Sequence, residues 1–360
     1  MGLIKLHHLF LIIFLSHFFL LSSSQTPQPD HQCLDHQKSA LLQFKNETFS
    51  ESSSSLSPKL ASWEPDTDCC SWEGITCDSA TGHVIGLNLS HVNLQGLVDS
   101  NSSLFKLHNL LMLDFSWNFD LAFNLDSEKV IPTPFGFSLL PNLSHLNLAY
   151  TGFSGQVPLQ MSHLTKLVFL DFSGDGGLKL ESPNLKELVQ NMSNLKELLL
   201  DQVSLSSQNS DWFKALSYAA PNLSVLSLSG CSISGPLDSL LSNLHFLSEI
   251  DLSLNNLSSE VPDFLANFTS LVSLDLSYCG LHGEFPMGVF RLPNLQNIDI
   301  SSNPELVGLL PEFPEHSALS KLLLSDTRFH GKLPESIGHL QFLNQFILTV
   351  VISQEQSQIH

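Results

Sequence analysis

The chain has 360 residues, 42% hydrophobic and 14% charged, enough for one long repeat domain. With 15 Lys and Arg against 35 Asp and Glu, its formal net charge is −20. That balance repels the phosphates of nucleic acid and of anionic membranes and argues against both as partners; it suits a basic peptide, or solubility alone.

Residues 1–24 read as a secretory signal peptide. Lys5 opens it, an apolar run spans Leu9 to Leu21, and Ser22, Ser23 and Ser24 offer small residues for cleavage. The run is too short to cross a bilayer, and no later segment is long enough to do so. The mature chain is therefore expected to meet an oxidising compartment. Eight Asn-x-Ser/Thr sequons fit that route, at Asn46, Asn88, Asn101, Asn142, Asn191, Asn222, Asn256 and Asn267.

Residues 25–83 form a cysteine cap. Ala40, Leu41, Leu42 and Phe44 have helical spacing within Gln37 to Thr48. Trp63 and Trp72 are expected to cover the first coil. Cys33, Cys69, Cys70 and Cys77 allow three connectivities. Cys33–Cys69 with Cys70–Cys77 is favoured, the first tying the helix to the later loop and the second closing a short hairpin-like turn; adjacent Cys69 and Cys70 have poor geometry for a bridge to each other.

From about residue 84 to residue 340 a phrase Leu-x-x-Leu-x-Leu returns. Its leading residues are Leu143, Leu167, Leu195, Leu223, Leu247, Leu271, Leu295, Leu319 and Leu343, spaced by 24 or 28 residues. Such a period specifies a leucine-rich-repeat solenoid of about ten repeats, with a parallel β-sheet on the concave face, short second strands and 3-10 or short helical turns on the convex side. In the coil from Phe246 to Pro262, Leu247, Ile250 and Leu252 point inward, while Glu249, Asp251, Ser253 and Leu254 point outward. Asn255 holds the ladder slot, eight residues after the leading leucine. Asn118 and Asn303 hold it elsewhere, and so do Cys231 and Cys279. Those two cysteines lie two coils apart, roughly 10 Å, so buried free thiols are expected. Val157-Pro158, Val261-Pro262 and Phe285-Pro286 end a second short strand, which the proline should confine to an edge. Extra length after Leu110, Leu167 and Leu195 is expected in loops away from the main sheet. An incomplete repeat begins at Gln341 and passes into a polar tail, so the reading is of a solenoid cut short.

No motif for catalysis or metal binding rises above background, and no cofactor is expected. Asp114, Asp171, Asp251, Asp275 and Asp299 form an outward column with a framework role favoured over cation binding. Seven residues after each leading position lies a more varied column. Its Trp117, Tyr150 and Tyr278 are the candidate ligand contacts; the alternative is burial under a neighbouring coil or a glycan.

The segments CLDHQKSALLQFKNETF and LASWEPDTDCCSWEGITCDSATGHVIGLNLS resemble the N-terminal cap of plant leucine-rich-repeat receptor-like proteins and receptor kinases. LKLESPNLKELVQNMSNLKELLLDQVSLSS and PNLSVLSLSGCSISGPLDSLLSNLHFLS resemble the Verticillium-wilt disease-resistance branch. The resemblance runs from Cys33 to Leu340 and implies a non-enzymatic immune ectodomain. It would bind a pathogen-derived protein or peptide on its concave face and signal through a co-receptor kinase at the plasma membrane. The family's membrane helix and C-terminal cap have no counterpart in these 360 residues. A secreted polygalacturonase-inhibitor-like protein and an inert fragment are the alternatives.

Overall fold

The computed structural model describes residues 32–48, 57–99, 101–123, 136–174, 177–205 and 211–348. The signal segment, the loop holding Ile131 to Pro134 and the polar tail lie outside the described residues.

Helix α1 (Asp35–Thr48) turns Gln37, Ala40, Leu41, Phe44 and Thr48 inward, a stripe at helical period. The buried Gln37 side chain accepts the backbone N–H of Val84 at 2.8 Å, tying the helix to the first repeat strand. Phe44 stacks on Phe115 with centroids 5.5 Å apart. A short helix α2 (Pro58–Ala61) follows. Trp63 and Trp72 are buried and stacked at 5.3 Å. Disulfides join Cys33 to Cys69 and Cys70 to Cys77, each with Cα atoms 5.5 Å apart. Asp68 closes the junction by accepting from the N–H groups of Cys33 and Cys70.

The repeats build a 12-stranded sheet. Its first strand, Ile75–Cys77, is antiparallel to Val84–Asn88 and belongs to the cap; every later pairing is parallel. Because the register never slips between repeats, Leu87, Leu113, Leu146, Leu170, Leu198, Leu226, Ile250, Leu274, Ile298 and Leu322 stack in one inward column. Each is at most 2% exposed. Burying one such side chain contributes about 1.5–3 kcal/mol, but only neighbouring coils can bury it.

Asn118, Asn255 and Asn303 stitch coil to coil. Asn303 Nδ2 donates to the carbonyls of Leu276, Ile300 and Ser301, while its Oδ1 accepts from the N–H groups of Cys279 and Leu281. Cys231 and Cys279 are buried free thiols that take over part of this work. Their Sγ atoms lie 2.9 Å and 3.1 Å from the carbonyls of Leu200 and Leu252 in the preceding coil.

Two expectations require correction. The second strands are not confined to edges: Leu178–Leu180 and Glu305–Leu309 are the middle strands of two three-stranded sheets. The prolines sit beyond the strand ends, where Pro158, Pro262, Pro286 and Pro334 cap 3-10 turns and no ladder donor is needed. The extra residues after Leu167 and Leu195 also form more than loops. They lengthen the convex side into helices α3 (Leu185–Val189) and α4 (Asp211–Ala219). Asn184 and Glu187 form a capping box on α3, and α4 buries Trp212, Phe213 and Leu216.

Candidate ligand-binding face

The outward side of the main sheet carries in-register polar columns. One runs Asn88, Asp114, Asn147, Asp171, Leu199, Ser227, Asp251, Asp275, Asp299 and Leu323. Asp114, Asp251, Asp275 and Asp299 each accept, through Oδ1, the N–H and Oγ–H of the serine two residues on. These bonds pin the turn that follows each strand. Asp114 and Asp275 point outward as expected yet are buried, because a close-packed parallel sheet covers a short side chain with its two neighbours. Burial pushes Asp171 up to about 7. Asp251 and Asp275 are also raised, by burial and by neighbouring carboxylates. One column over, Glu197 is raised to about 7, chiefly by burial and then by Glu249. Lys321 pairs with Asp299 at 3.3 Å.

The varied column follows this framework. His91, Trp117, Tyr150, Gln202, Leu254, Tyr278, Ser302 and Asp326 all adopt φ between 53° and 65°. Each turn therefore projects that side chain at the same lateral edge, a backbone condition that the apolar pattern does not reveal. The structure brings Trp117 and Tyr150 together, with rings stacked at 4.3 Å, and both are half-buried. His91 stacks on Trp117 at 5.3 Å, and Phe119, 54% exposed, meets Trp117 edge-on. Sequence reasoning passed over His91 and Phe119. The repeat spacing already placed His91 in the column, whereas Phe119 falls outside it.

Tyr278 stands apart from that stack. It is 59% exposed and, with Leu254 at 57%, walls an open groove of about 650 Å³. Gly230 leaves the floor without a side chain.

The sequons occupy different surroundings. Asn101, Asn191, Asn222, Asn256 and Asn267 are exposed, as is Asn46 on α1. Asn142 and Asn222 donate through Nδ2 to carbonyls of the preceding coil, as Asn194 and Asn294 do without a sequon. Asn88 is half-buried in the sheet. Its Oδ1 accepts from Lys59 and Ser90, and its Nδ2 reaches Asp114.

Among the described residues, the one group of His, Cys, Asp and Glu close enough to hold a metal is Cys33, Asp68, Cys69 and Cys70. Its cysteines are all in disulfides. No described helix is long and apolar enough to cross a membrane.

Comparison with known proteins points the same way. The Leucine rich repeat N-terminal domain matches residues 34–78, and the Leucine Rich Repeat matches residues 222–244 and 270–292. Receptor-like protein 9DC1 of Solanum pimpinellifolium is 35% identical over 268 residues, covering 71% of this chain and 29% of that protein. The chain thus spans under a third of that relative's length. In structure it is similar to the Arabidopsis receptor kinase HAESA ectodomain, solved with an IDA peptide hormone ligand. That match has a TM-score of 0.69 and 26% identity, over 88% of this chain and 53% of HAESA's. It is similar also to a plant ice-binding protein, with a TM-score of 0.66 and 26% identity, over 87% of this chain and 95% of that one. The fold therefore serves more than one function, and the surface must distinguish them.

Proposed function

Because the chain belongs to the leucine-rich-repeat receptor-like proteins of plants, we propose that it is a non-enzymatic extracellular ligand-binding module of an immune receptor. In this reading residues 1–24 direct it into the secretory pathway, residues 25–83 cap it, and residues 84–340 present its sheet to a pathogen-derived protein or peptide. The observation that carries the proposal is the aromatic cluster of His91, Trp117, Phe119 and Tyr150 at the rim of the outward sheet face. Aromatic rings of that kind supply large contact area at little entropic cost. The HAESA ectodomain supports the class of partner, having been solved with the peptide hormone IDA and the co-receptor SERK1. Assignment to the Verticillium-wilt branch, and docking of a co-receptor kinase at the plasma membrane, belong to the same proposal.

The test is a binding titration. The secreted chain is immobilised and exposed to size-fractionated culture filtrate of a vascular wilt fungus, and bound species are read by mass spectrometry. Trp117→Ala with Tyr150→Ala should abolish capture of whatever the wild type retains. Equal retention by wild type and variant would refute the aromatic cluster as the contact. The same filtrate assayed for polygalacturonase checks the inhibitor alternative, which requires that the chain slow pectin cleavage.

A further inference from the structure

The groove beside Tyr278 contains its own candidate occupant. Asn256-Leu257-Ser258 is a sequon, and Asn256 forms part of the groove wall. Ser258 Oγ donates to Asn256 Oδ1. Asn256 Nδ2 makes no hydrogen bond within the described residues, unlike the Nδ2 groups of Asn88, Asn142 and Asn222. Two neighbouring glycines keep the space open. Gly230 has no side chain beside Leu254, and a Cβ added to Gly280 would lie 3.6 Å from Asn256 Oδ1. The walls are amphipathic: the Tyr278 ring and Leu254 are apolar, and Ser232 and Ser234 are polar. That mixture matches a hexosamine, which has an apolar C–H face and a hydroxyl rim. The sequon places a candidate cover for Tyr278 and Leu254 within the same wall.

We propose that Asn256 carries an N-linked glycan whose first sugar lies in this groove against Tyr278 and Leu254, so that Tyr278 is a glycan support and not a ligand contact. The inference rests on the proposed secretory route. The oligosaccharide comes from a lipid-pyrophosphate donor. Asn256 Nδ2 bonds to the sugar's anomeric carbon, the bond from that carbon to the donor's phosphate oxygen breaks, and the lipid pyrophosphate leaves with the electron pair. Nδ2 gives up one proton and keeps the other. The consequence for the binding face is directional. The lateral edge near Tyr278 is covered, while the cluster around Trp117 and Tyr150 lies several coils away.

The experiment uses the full chain secreted from plant cells. Its peptides are freed of glycan by a peptide N-glycosidase in heavy-oxygen water, which marks each formerly modified asparagine as labelled Asp. Label at Asn256 is expected. Tyr278 nitration in the folded protein should rise several-fold after enzymatic deglycosylation, and equally in Asn256→Gln and in Ser258→Ala. An unlabelled Asn256 would overturn the inference, as would Tyr278 reactivity that ignores glycan removal. Asn191 and Asn267 in the same digest separate the causes. If they are labelled and Asn256 is not, only the groove assignment fails; if the chain expressed in those cells is never recovered from the medium, the secretory reading fails with it.

Discussion

Replacing Asp171 with Asn should flatten the protein's stability profile between acid and neutral pH. Asp171 lies half-buried in the middle of the parallel sheet, with Asn147 on one side and Leu199 on the other. Its Oδ1 accepts the N–H of Ser173 at 2.9 Å. Burial, aided by the more distant Asp201 and Asp114, holds the acid at about 7 against an ordinary 3.8. Over roughly pH 4–7 the folded state therefore keeps a proton that the unfolded chain has lost, and unfolding free energy falls as pH rises through that window. The full difference corresponds to about 4 kcal/mol; water contact of the half-buried side chain reduces it, and about 2–4 kcal/mol is expected. Asparagine preserves the acceptor, as Asn147 does for the N–H of Ala149 at 3.0 Å in the adjacent strand. Urea unfolding followed by tryptophan fluorescence at several pH values reads the effect. Wild type should be more stable near pH 5 than near pH 7.5, and Asp171→Asn should remove about 1–2.5 kcal/mol of that difference, the part of the full shift that falls inside this window. Asp114, Asp201, Asp251, Asp275 and Glu197 are raised as well, so the variant keeps a slope of the same sign. Wild-type stability that rises from pH 5 to pH 7.5, or a variant with an unchanged slope, would refute the reasoning.

Three further outcomes follow from the packing. Asn303→Ala should cost about 2–4 kcal/mol in the urea midpoint, since it strands the buried N–H groups of Cys279 and Leu281. Leu274→Ala, in the centre of the inward column, should cost about 2–5 kcal/mol, whereas Phe346→Ala, at a position 37% exposed in the last described strand, should cost clearly less. Cys279, pushed up to about 12 by burial, and Cys231, raised by the same cause, should resist iodoacetamide at mildly alkaline pH. Both should alkylate once the chain is unfolded, and labelling of the native protein would contradict their burial.

Several of these features were legible in the chain alone. The repeat of leucines at a fixed interval dictates which side chains meet, because a parallel register without slips carries position to position across every coil. The same arithmetic identified Asn118, Asn255 and Asn303 as ladder residues and kept Cys231 and Cys279 from pairing. It also put Trp117 and Tyr150 in one column. It could not show that they stack at 4.3 Å, or that Phe119 joins them from outside the column. Length alone marks the insertions that carry α3 and α4 as loops, although Trp212, Ala215, Leu216 and Ala219 already stand at helical spacing and short helical turns are expected on that side.

Composition and periodicity thus determined the solenoid, its inward column, its cap and the slots of its hydrogen-bond ladder, since each depends on residues a fixed number of positions apart. Burial of the aspartates, the left-handed turns that aim the lateral column and the groove that unites Asn256 with Tyr278 were decided by tertiary structure. Those properties depend on how closely one coil covers the next, a distance that no spacing along the chain contains.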